Sequence, residues 1–240
     1  MFELLMGLPL FLGVSRQRLA EVVGAARFHF LKFPDGEPVI RAGEESTHLT
    51  FVIGGQVRVS IANNSGRFVV ASTLEAPAVI APDFLFGRIT RYPCTVVAKG
   101  SASILKISKS DFVKIIFTDQ FFMFNFLNTL SVNAQKTVHG LMSLAGGSLE
   151  ERIAFWIIAL TQPGSTEIRM SCRTRDLCSI FNVPRGVFEG VMADMESRGL
   201  VKYNTHEINV LDRRKMLALI EKQTENHEDL PAQVTVEKKD

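Results

Sequence analysis

Short strand-forming runs separated by glycine-containing turns fill the chain from about Arg27 to Ile107. In QVRVSI, the residues Val57, Val59 and Ile61 alternate with polar neighbours, and this is the period of a half-buried strand. ANNSGR has the composition of a turn, and RFVVASTL follows it as a returning strand. Closely spaced short strands with such turns predict a sandwich or a barrel.

A helical pattern replaces the strands after Ser108. SKSDFVKIIFTD predicts a short helix, and residues 120–145 predict a long one with a stripe of apolar residues. The stripe predicts a helix–helix seam in a dimer, whereas the aromatic start FFMFNF favours burial against the chain's own domain. The expected seam residues are Phe124, Leu127, Ala134, Val138 and Leu141.

Two glycines, Gly146 and Gly147, end the long helix and indicate a hinge. Ser148 and Glu151 then have the spacing of a capping box at the start of a new helix. The following segment, TRDLCSIF-NV-PRGVFEGVMADMESRG, predicts helix, turn and helix, with Asn182 in the turn and Gly199 at the end. LVKY-NTH-EINV predicts a β-hairpin.

Charge and cysteine content identify no particular partner. The net charge is +2, and the three cysteines, Cys94, Cys172 and Cys178, show no C-x-x-C spacing. We expect buried thiols rather than a metal centre. The N-terminus lacks a basic segment, and no stretch approaches the ~18 uninterrupted apolar residues of a membrane span, so a cytoplasmic location is expected.

This order of parts resembles the bacterial cyclic-AMP receptor/FNR (Crp–Fnr) family of transcription regulators, over about residues 5–220. VIRAGEESTHLTFVIGGQVRV is similar to the β-roll core of that family, SLEERIAFWIIAL to the first helix of its DNA-binding domain, and RDLCSIFNVPRGVFEGVMADMESRGLV to its helix-turn-helix. The resemblance implies an α+β fold: a cyclic-nucleotide-binding-like β-roll (a double-stranded β-helix or jelly roll), a long dimerisation helix and a winged helix-turn-helix.

The resemblance also implies an organisation and a function. The expected segments are an effector domain (residues 1–118), the dimerisation helix and hinge (119–146), the DNA-binding domain (147–220) and a disordered polar tail (221–240). Members of the family are homodimers that sense a small effector, place two recognition helices in successive major grooves, and have RNA polymerase as a partner.

The expected effector pocket departs from the pattern of cyclic-nucleotide binders. Those proteins carry a Gly-Glu pair for the ribose and an Arg-Ser/Thr pair for the phosphate. Here Arg91 stands in for the arginine but precedes Tyr92–Pro93, and the candidates for the first pair are Gly87–Arg88 and Pro82–Asp83. Each lost charge-assisted hydrogen bond costs about 1.5–3 kcal/mol, so the sequence argues against cyclic-nucleotide binding. The pocket residues expected are Arg91, Arg88 and Asp83.

Other cofactors receive little support. Haem would need an axial ligand, and the candidates His29, His48 and His139 have no haem-specific spacing. The N-terminal cysteine cluster of the iron–sulfur branch of the family is absent from the sequence. The effector is therefore unknown at this stage.

The second predicted helix of the helix-turn-helix also departs from the family. The common pattern is Arg-Glu followed by Arg four residues later, in which glutamate reads cytosine and arginine reads guanine. Arg185 is kept as the expected main contact to a base or a phosphate, and Gly186 and Gly190 occupy the other two positions. Glu189 lies between them as a candidate reader of cytosine, and Gly190 leaves room for close approach of the backbone. We expect DNA contact with altered specificity. Further contacts, to phosphates, are expected from Thr174, Arg175, Lys202 and His206.

The sequence thus predicts a DNA-binding transcription regulator and not an enzyme, since it shows no catalytic constellation. The alternative is a ligand-binding β-roll protein whose winged helix mediates protein interaction, as the two glycines suggest. A cupin-like enzyme would need a His/Glu metal set on the strands, which the sequence does not show.

Overall fold

A computed structural model describes residues 2–118 and 120–225 of the chain. Within these residues the α-helices are α1 (Phe2–Met6), α2 (Arg16–Ala25), α3 (Lys109–Thr118), α4 (Gln120–Gly146), α5 (Leu149–Ala159), α6 (Thr174–Phe181), α7 (Arg185–Ser197) and α8 (Arg213–Glu225). The strands are β1 (Phe28–Phe33), β2 (Pro38–Ile40), β3 (His48–Ala62), β4 (Val69–Glu75), β5 (Ala78–Ile80), β6 (Thr95–Ser108), β7 (Thr166–Ser171), β8 (Val201–Asn204) and β9 (Glu207–Val210). None of the described helices has both the length and the apolar character that a membrane crossing needs.

Strands β1–β6 form the predicted β unit, called the β domain below. Its central strand is β3, which pairs antiparallel with β6 along one edge and with β4 and β5 along the other. The predicted alternation in β3 is present, because Val57 and Val59 are buried while Arg58 is exposed. Apolar side chains from these strands form one core inside the β domain.

Gly55 is the position in the β domain where no side chain fits. Its φ is +75°, and an added Cβ would lie 2.1 Å from the carbonyl oxygen of Ser101 on β6. The backbones of β3 and β6 approach closely at this irregular point of their pairing. A glycine is therefore required both by conformation and by space.

A second core, rich in aromatic rings, joins the helices to the β domain. Its largest fully buried side chains include Phe11, Phe51, Phe112 and Phe122. The rings of Phe11 and Phe122 meet edge to face with centroids 5.4 Å apart. This core anchors the N-terminal segment and the start of α4, as the aromatic stretch FFMFNF suggested.

Residues 149–225 form a C-terminal unit with its own core. Its local signals are confirmed: Ser148 and Glu151 form both hydrogen bonds of the capping box, and Asn182 ends α6 in the left-handed conformation with φ 52°. Gly199 follows α7 with φ +70°. The predicted hairpin is β8–β9, paired from Val201↔Val210 to Asn204↔Glu207.

The tail prediction needs a correction at its start. Helix α8 continues to Glu225, five residues into the segment 221–240 that was expected to be disordered. The polar composition hid this extension because a helix that is already started adds residues at low cost. Residues 226–240 lie outside the described part of the chain.

Strand β7 was not predicted, and it joins the two units. It pairs antiparallel with β4 of the β domain and with β9 of the C-terminal unit, so a single sheet runs through both. Side chains reinforce the junction: Glu167 accepts hydrogen bonds from Thr73 and Lys99 of the β domain. The ring of Phe68 stacks on Trp156 with centroids 4.6 Å apart.

Candidate nucleic-acid interface and effector cavity

Helix α7 has a buried face and a bare exposed face. Phe188, Met192 and Met195 are fully buried in the C-terminal core, as their helical spacing predicted. On the opposite side, Gly186 and Gly190 have open space around them, with no heavy atom within 4 Å of an added Cβ. The turn before α7 closes through a hydrogen bond from the Val183 N–H to the Cys178 carbonyl, 3.0 Å long.

Arg185 and Glu189 form an ion pair with each other on the exposed face of α7. The Arg185 Nε donates to the Glu189 carboxylate over 2.8 Å, in an i,i+4 ion pair. The hydrogen bond to Glu189 raises the pKa of Arg185 above its ordinary value. The Arg185 side chain is still 66% exposed, so it is accessible to a partner that can compete with Glu189. Isolated surface pairs of this kind contribute only about 0.3–0.5 kcal/mol, so a phosphate or a guanine edge can displace the carboxylate.

Thr174 does not face solvent, in contrast to its predicted role as a phosphate contact. It is 4% exposed, and its hydroxyl lies 2.9 Å from the Tyr203 hydroxyl and donates to the Thr205 carbonyl. It therefore ties the start of α6 to the β8–β9 hairpin. The prediction failed because a threonine at the start of an amphipathic helix faces the core or the solvent according to how the next elements pack.

The other predicted phosphate contacts are on the surface. The Arg175 side chain is 82% exposed, with an ion-pair distance of 3.8 Å to Asp176. Lys202 on β8 and His206 in the hairpin turn are exposed as well. Arg185, Arg175 and Lys202 are thus three exposed cations of the C-terminal unit.

The predicted seam on α4 is exposed in the single chain. Phe124, Leu127 and Val138 are 54%, 48% and 59% exposed, which is unusual for large apolar side chains on one helix. Ala134 is exposed too, but it lines the cavity described next. The Leu141 side chain lies outside the described part of the structure. The exposed stripe leaves an apolar surface uncovered by the described residues.

A cavity of about 1000 Å³ lies where the β domain, α4 and the C-terminal unit meet. The β domain contributes side chains from β3, β4 and β5 and from a short 3-10 helix, Pro82–Phe84. Helix α4 contributes one long face. The C-terminal unit contributes the end of α5 and the following loop, residues 159–163.

Every fourth residue of one α4 face is an asparagine or a threonine, and this polar row lines the cavity. The row consists of Asn125, Thr129, Asn133 and Thr137. The four-residue spacing was visible in the sequence, since positions i and i+4 share a helix face. The apolar stripe drew attention to the other face, and this set of cavity residues was missed.

Asp83 is the one predicted pocket residue that lines the cavity. Both of its carboxylate oxygens accept from the Asn133 amide, over 2.8 and 3.0 Å. This contact joins the 3-10 helix of the β domain to α4. Among the described lining residues, Asp83 is the only acid, and none is Lys, Arg or His.

Arg88 and Arg91 do not line the cavity, and their assignment to the effector pocket is corrected. Both are exposed, and the Arg91 guanidinium donates to the Gly43 carbonyl over 2.8 Å. Arg91 also forms an isolated bridge with Glu45, which directs this segment along the outside of the β domain. Spacing within a loop does not determine which way its side chains point, and the assignment failed for that reason.

Of the histidines considered for haem, the two whose side chains are described do not line the cavity. His29 and His48 lie on neighbouring strands with ring centroids 6.2 Å apart, and neither lines the cavity. Burial, followed by the charge of Lys106, lowers the pKa of His48. The His139 side chain lies outside the described structure. In the described part of the chain, no three His, Cys, Asp or Glu side chains form a group that could hold a metal ion.

The short 3-10 helix at the cavity offers a phosphate fewer backbone donors than an ordinary helix start. It begins with Pro82, which has no N–H, after Ala81 in the left-handed conformation with φ 43°. The Cys94 thiol also lines the cavity, and burial raises its pKa to about 11, so it is uncharged near neutral pH. The cavity walls therefore do not fit a cyclic nucleotide's phosphate.

Comparison with known proteins agrees with the β domain described above. Residues 30–119 match the family model of the cyclic nucleotide-binding domain. The cAMP-activated global transcriptional regulator CRP of Haemophilus influenzae is 25% identical over 150 residues, which is 60% of this chain and 67% of that protein. The corresponding regulator of Salmonella typhimurium is 22% identical over 193 residues, 78% of this chain and 91% of that protein.

One solved structure supports the fold over nearly the whole chain. The crystal structure of the Thermus thermophilus catabolite activator protein aligns with a TM-score of 0.52 and 16% identity. The alignment covers 89% of this chain and 99% of the other. At this identity the likeness concerns the fold.

Proposed function

We propose that this chain is a transcription regulator of the Crp–Fnr family that binds specific DNA as a homodimer and responds to a small effector. A cytoplasmic location and contact with RNA polymerase, both expected from the sequence, belong to the same proposal. The observation that carries it is the exposed face of α7, which starts with Arg185 and stands clear of the rest of the C-terminal unit.

The elements around α7 support the role of a winged helix-turn-helix. Helix α6, the turn at Asn182 and α7 form the two-helix part, and the β8–β9 hairpin forms the wing. The exposed Arg175 and Lys202 are available for phosphates on either side of the groove. The predicted division at residues 118, 146 and 220 is retained in this proposal, with α8 extended to Glu225.

The exposed stripe of α4 supports the homodimer. Phe124, Leu127 and Val138 would be covered by the same stripe of a second chain, as in a two-stranded coiled coil. A two-fold dimer presents its two α7 helices to half-sites roughly 34–36 Å apart, one turn of DNA. A palindromic site is therefore expected.

A second candidate is a ligand-responsive protein whose winged helix binds another protein. The ion pair between Arg185 and Glu189 favours it, because it neutralises the only described cation on the exposed face of α7. So do Gly186 and Gly190, which provide no side chain for reading bases. DNA remains the first choice, because Arg185, Arg175 and Lys202 are all exposed.

Selection of bound sequences from a random duplex pool at near-physiological salt tests the proposal. We expect a palindrome with half-sites one turn apart. Arg185→Ala should weaken binding to that site about 5- to 150-fold, the equivalent of one bidentate base contact of about 1–3 kcal/mol. Glu189→Gln should tighten it about twofold, because exposed ion pairs are weak and little is lost when this one is broken.

The matched control is Arg16→Ala on α2, another exposed arginine in an ion pair with a glutamate. It should bind the selected site like the parent protein. Recovery of no consensus would favour the protein-interaction candidate, whereas equal binding of a recovered site by the parent and Arg185→Ala would remove Arg185 as a base contact. Binding should also weaken steeply with salt, since phosphate contacts release counterions.

A further inference from the structure

We propose that the cavity takes a predominantly apolar small molecule that is neutral or positively charged and that donates a hydrogen bond, and that it rejects anions. This inference rests on the proposed function only in identifying the cavity as the effector site. It is carried by the cavity's volume, by its charges and by the direction of the hydrogen bonds on its walls.

The wall contributed by the β domain is apolar. Val59 and Ile61 of β3, Val70 of β4, Val79 of β5 and Phe84 of the 3-10 helix line it. A volume of about 1000 Å³ is large enough for a molecule with a substantial apolar body. The apolar wall provides affinity through burial and does not discriminate by charge.

The wall contributed by α4 presents acceptors. The Asn125 amide donates its N–H groups to the Leu10 and Leu12 carbonyls, over 3.0 and 2.9 Å. The Asn133 amide donates to Asp83. With these donors engaged, the oxygens of these two amides are the atoms they leave to meet a ligand; Asn128 and Gln162 also line the cavity and carry both donor and acceptor groups.

The hydroxyls on the cavity walls also donate their protons to other groups of the protein. Thr129 and Thr137 donate to the carbonyls of Asn125 and Asn133 within α4, over 2.8 and 3.0 Å. Ser72 of β4 donates to Ser165 of the C-terminal unit over 3.3 Å. Each hydroxyl keeps lone pairs for a ligand but has given its proton to the protein. A ligand that donates hydrogen bonds is matched to these walls.

An anion needs positive charge or hydrogen-bond donors, and the cavity walls instead carry a carboxylate. Asp83 contributes a negative charge, and the described lining residues include no Lys, Arg or His to offset a second one. Asp83 is exposed to solvent, and a phosphate or carboxylate placed beside it would meet a like charge with no counter-ion from the described walls. An amine or a hydroxyl, by contrast, gains Asp83 as an acceptor.

The cavity also connects its ligand to the C-terminal unit. Residues 159–163, which are the end of α5 and the start of the loop toward β7, close one side of the cavity. A molecule that fills the cavity therefore touches the β domain, α4 and this loop together. Occupancy is in a position to change how the C-terminal unit sits on the β domain.

Two dyes that share one ring system test whether the cavity prefers a neutral ligand to an anion. N-phenyl-1-naphthylamine is neutral, and 8-anilino-1-naphthalenesulfonate carries an added sulfonate; both contain a secondary amine. With the full-length protein, fluorescence titration should show at least about tenfold tighter cavity binding of the neutral dye, or about 1.4 kcal/mol. Excess cyclic AMP should leave the neutral dye in place. Displacement by cyclic AMP, or equal cavity affinity of the two dyes, would overturn the inference.

Variants restrict the measurement to the cavity. Thr137→Trp projects a large ring into it, whereas Gln135→Trp places the same ring two residues away, on a part of α4 that does not line it. Binding of the neutral dye in the cavity is the component of its fluorescence titration that is lost in Thr137→Trp and is still present in Gln135→Trp. Ala134→Trp provides a second block, and the thermal midpoint of each variant reports whether it is folded. If neither block removes neutral-dye binding, the site assignment is wrong.

A charge variant then tests the role of Asp83. Asp83→Asn should bring the affinities of the two dyes closer together, while Glu37→Gln, which removes an exposed acid outside the cavity, should not. An unchanged preference in Asp83→Asn would contradict the assigned role. Specific DNA binding that fails while the dyes behave as expected would count against the proposed function alone, and the reverse result would count against this inference alone.

Discussion

The cavity and the exposed face of α7 are the two places where this chain is expected to meet a ligand, and they are built differently. The cavity is concave and is lined by the β domain, α4 and the C-terminal unit. The α7 face is convex and depends on one helix, with Arg185 as its main functional group. A site distributed over many residues keeps its shape when single residues change, whereas a site on one helix depends on a few side chains.

Both places keep the backbone that the family resemblance predicted and depart from it in charge. In the cavity, neither of the arginines expected in the effector pocket is among the lining residues, and an acid remains. On α7, the arginine remains but is paired with Glu189. Fold and ligand identity are thus separately encoded: buried apolar packing maintains the first, and a few exposed or cavity-facing polar groups determine the second.

The largest expected effect comes from removing the packing beneath the α7 face. Phe188→Ala should lower the free energy of unfolding by about 3–5 kcal/mol, since the ring is fully buried against Phe181 and Tyr203. Its neighbour Val187 is 51% exposed, and Val187→Ala should change stability by less than about 0.5 kcal/mol. Urea denaturation measures both. Equal losses would show that the two faces of α7 are not distinct.

A smaller effect, of opposite sign, is expected on the exposed face itself. Gly190→Ala should stabilise the protein by about 1 kcal/mol, because alanine has the higher helix propensity. An added Cβ at this position meets no heavy atom within 4 Å, so no clash offsets the gain. Thermal unfolding measures the change. If the variant is more stable but binds the selected DNA less well, the glycine serves close approach of the helix to DNA; a loss of stability would contradict the open geometry.

The smallest effect is expected at the junction between the β domain and the C-terminal unit. A hydrogen bond from Lys99, then one from Thr73, lowers the pKa of Glu167 below its ordinary value. A carboxylate with a depressed folded-state pKa stabilises the fold above its unfolded pKa, and this stability is lost as pH falls through the folded value. Since the side chain is 62% exposed, solvent screening limits the contribution to less than about 1 kcal/mol. Stability measured from neutral to acidic pH should lose that component in Glu167→Gln; an unchanged pH profile would remove Glu167 from the junction.

Local signals in the sequence predicted local structure well. The Ser148 capping box, the left-handed Asn182 and the glycine after α7 all depend on residues within four positions of each other. Alternation in β3 predicted its buried residues for the same reason. In each case the hydrogen bonds or burial that decide the structure are set by short-range geometry.

Features that depend on distant partners escaped prediction. Strand β7 is short, and its pairing with β4 joins residues about a hundred positions apart, with Val69 opposite Ser171. The direction of Arg91 is set by its hydrogen bond to the Gly43 carbonyl, and the burial of Thr174 by the hairpin that follows. The spacing of the polar row on α4 could be seen in the sequence, but its place in the cavity could not, because that depends on the contact between Asn133 and Asp83.

The continuous sheet through β4 and β7 has a mechanical consequence. A pair of glycines at residues 146 and 147 resembles a free joint, but the C-terminal unit is held a second time by backbone hydrogen bonds between these strands. Any rotation of that unit must first separate the strands, and a paired edge opens over several residues or stays closed. Rotation of the C-terminal unit is therefore a cooperative step, in which the hydrogen bonds between β4 and β7 break together, and not a free hinge motion.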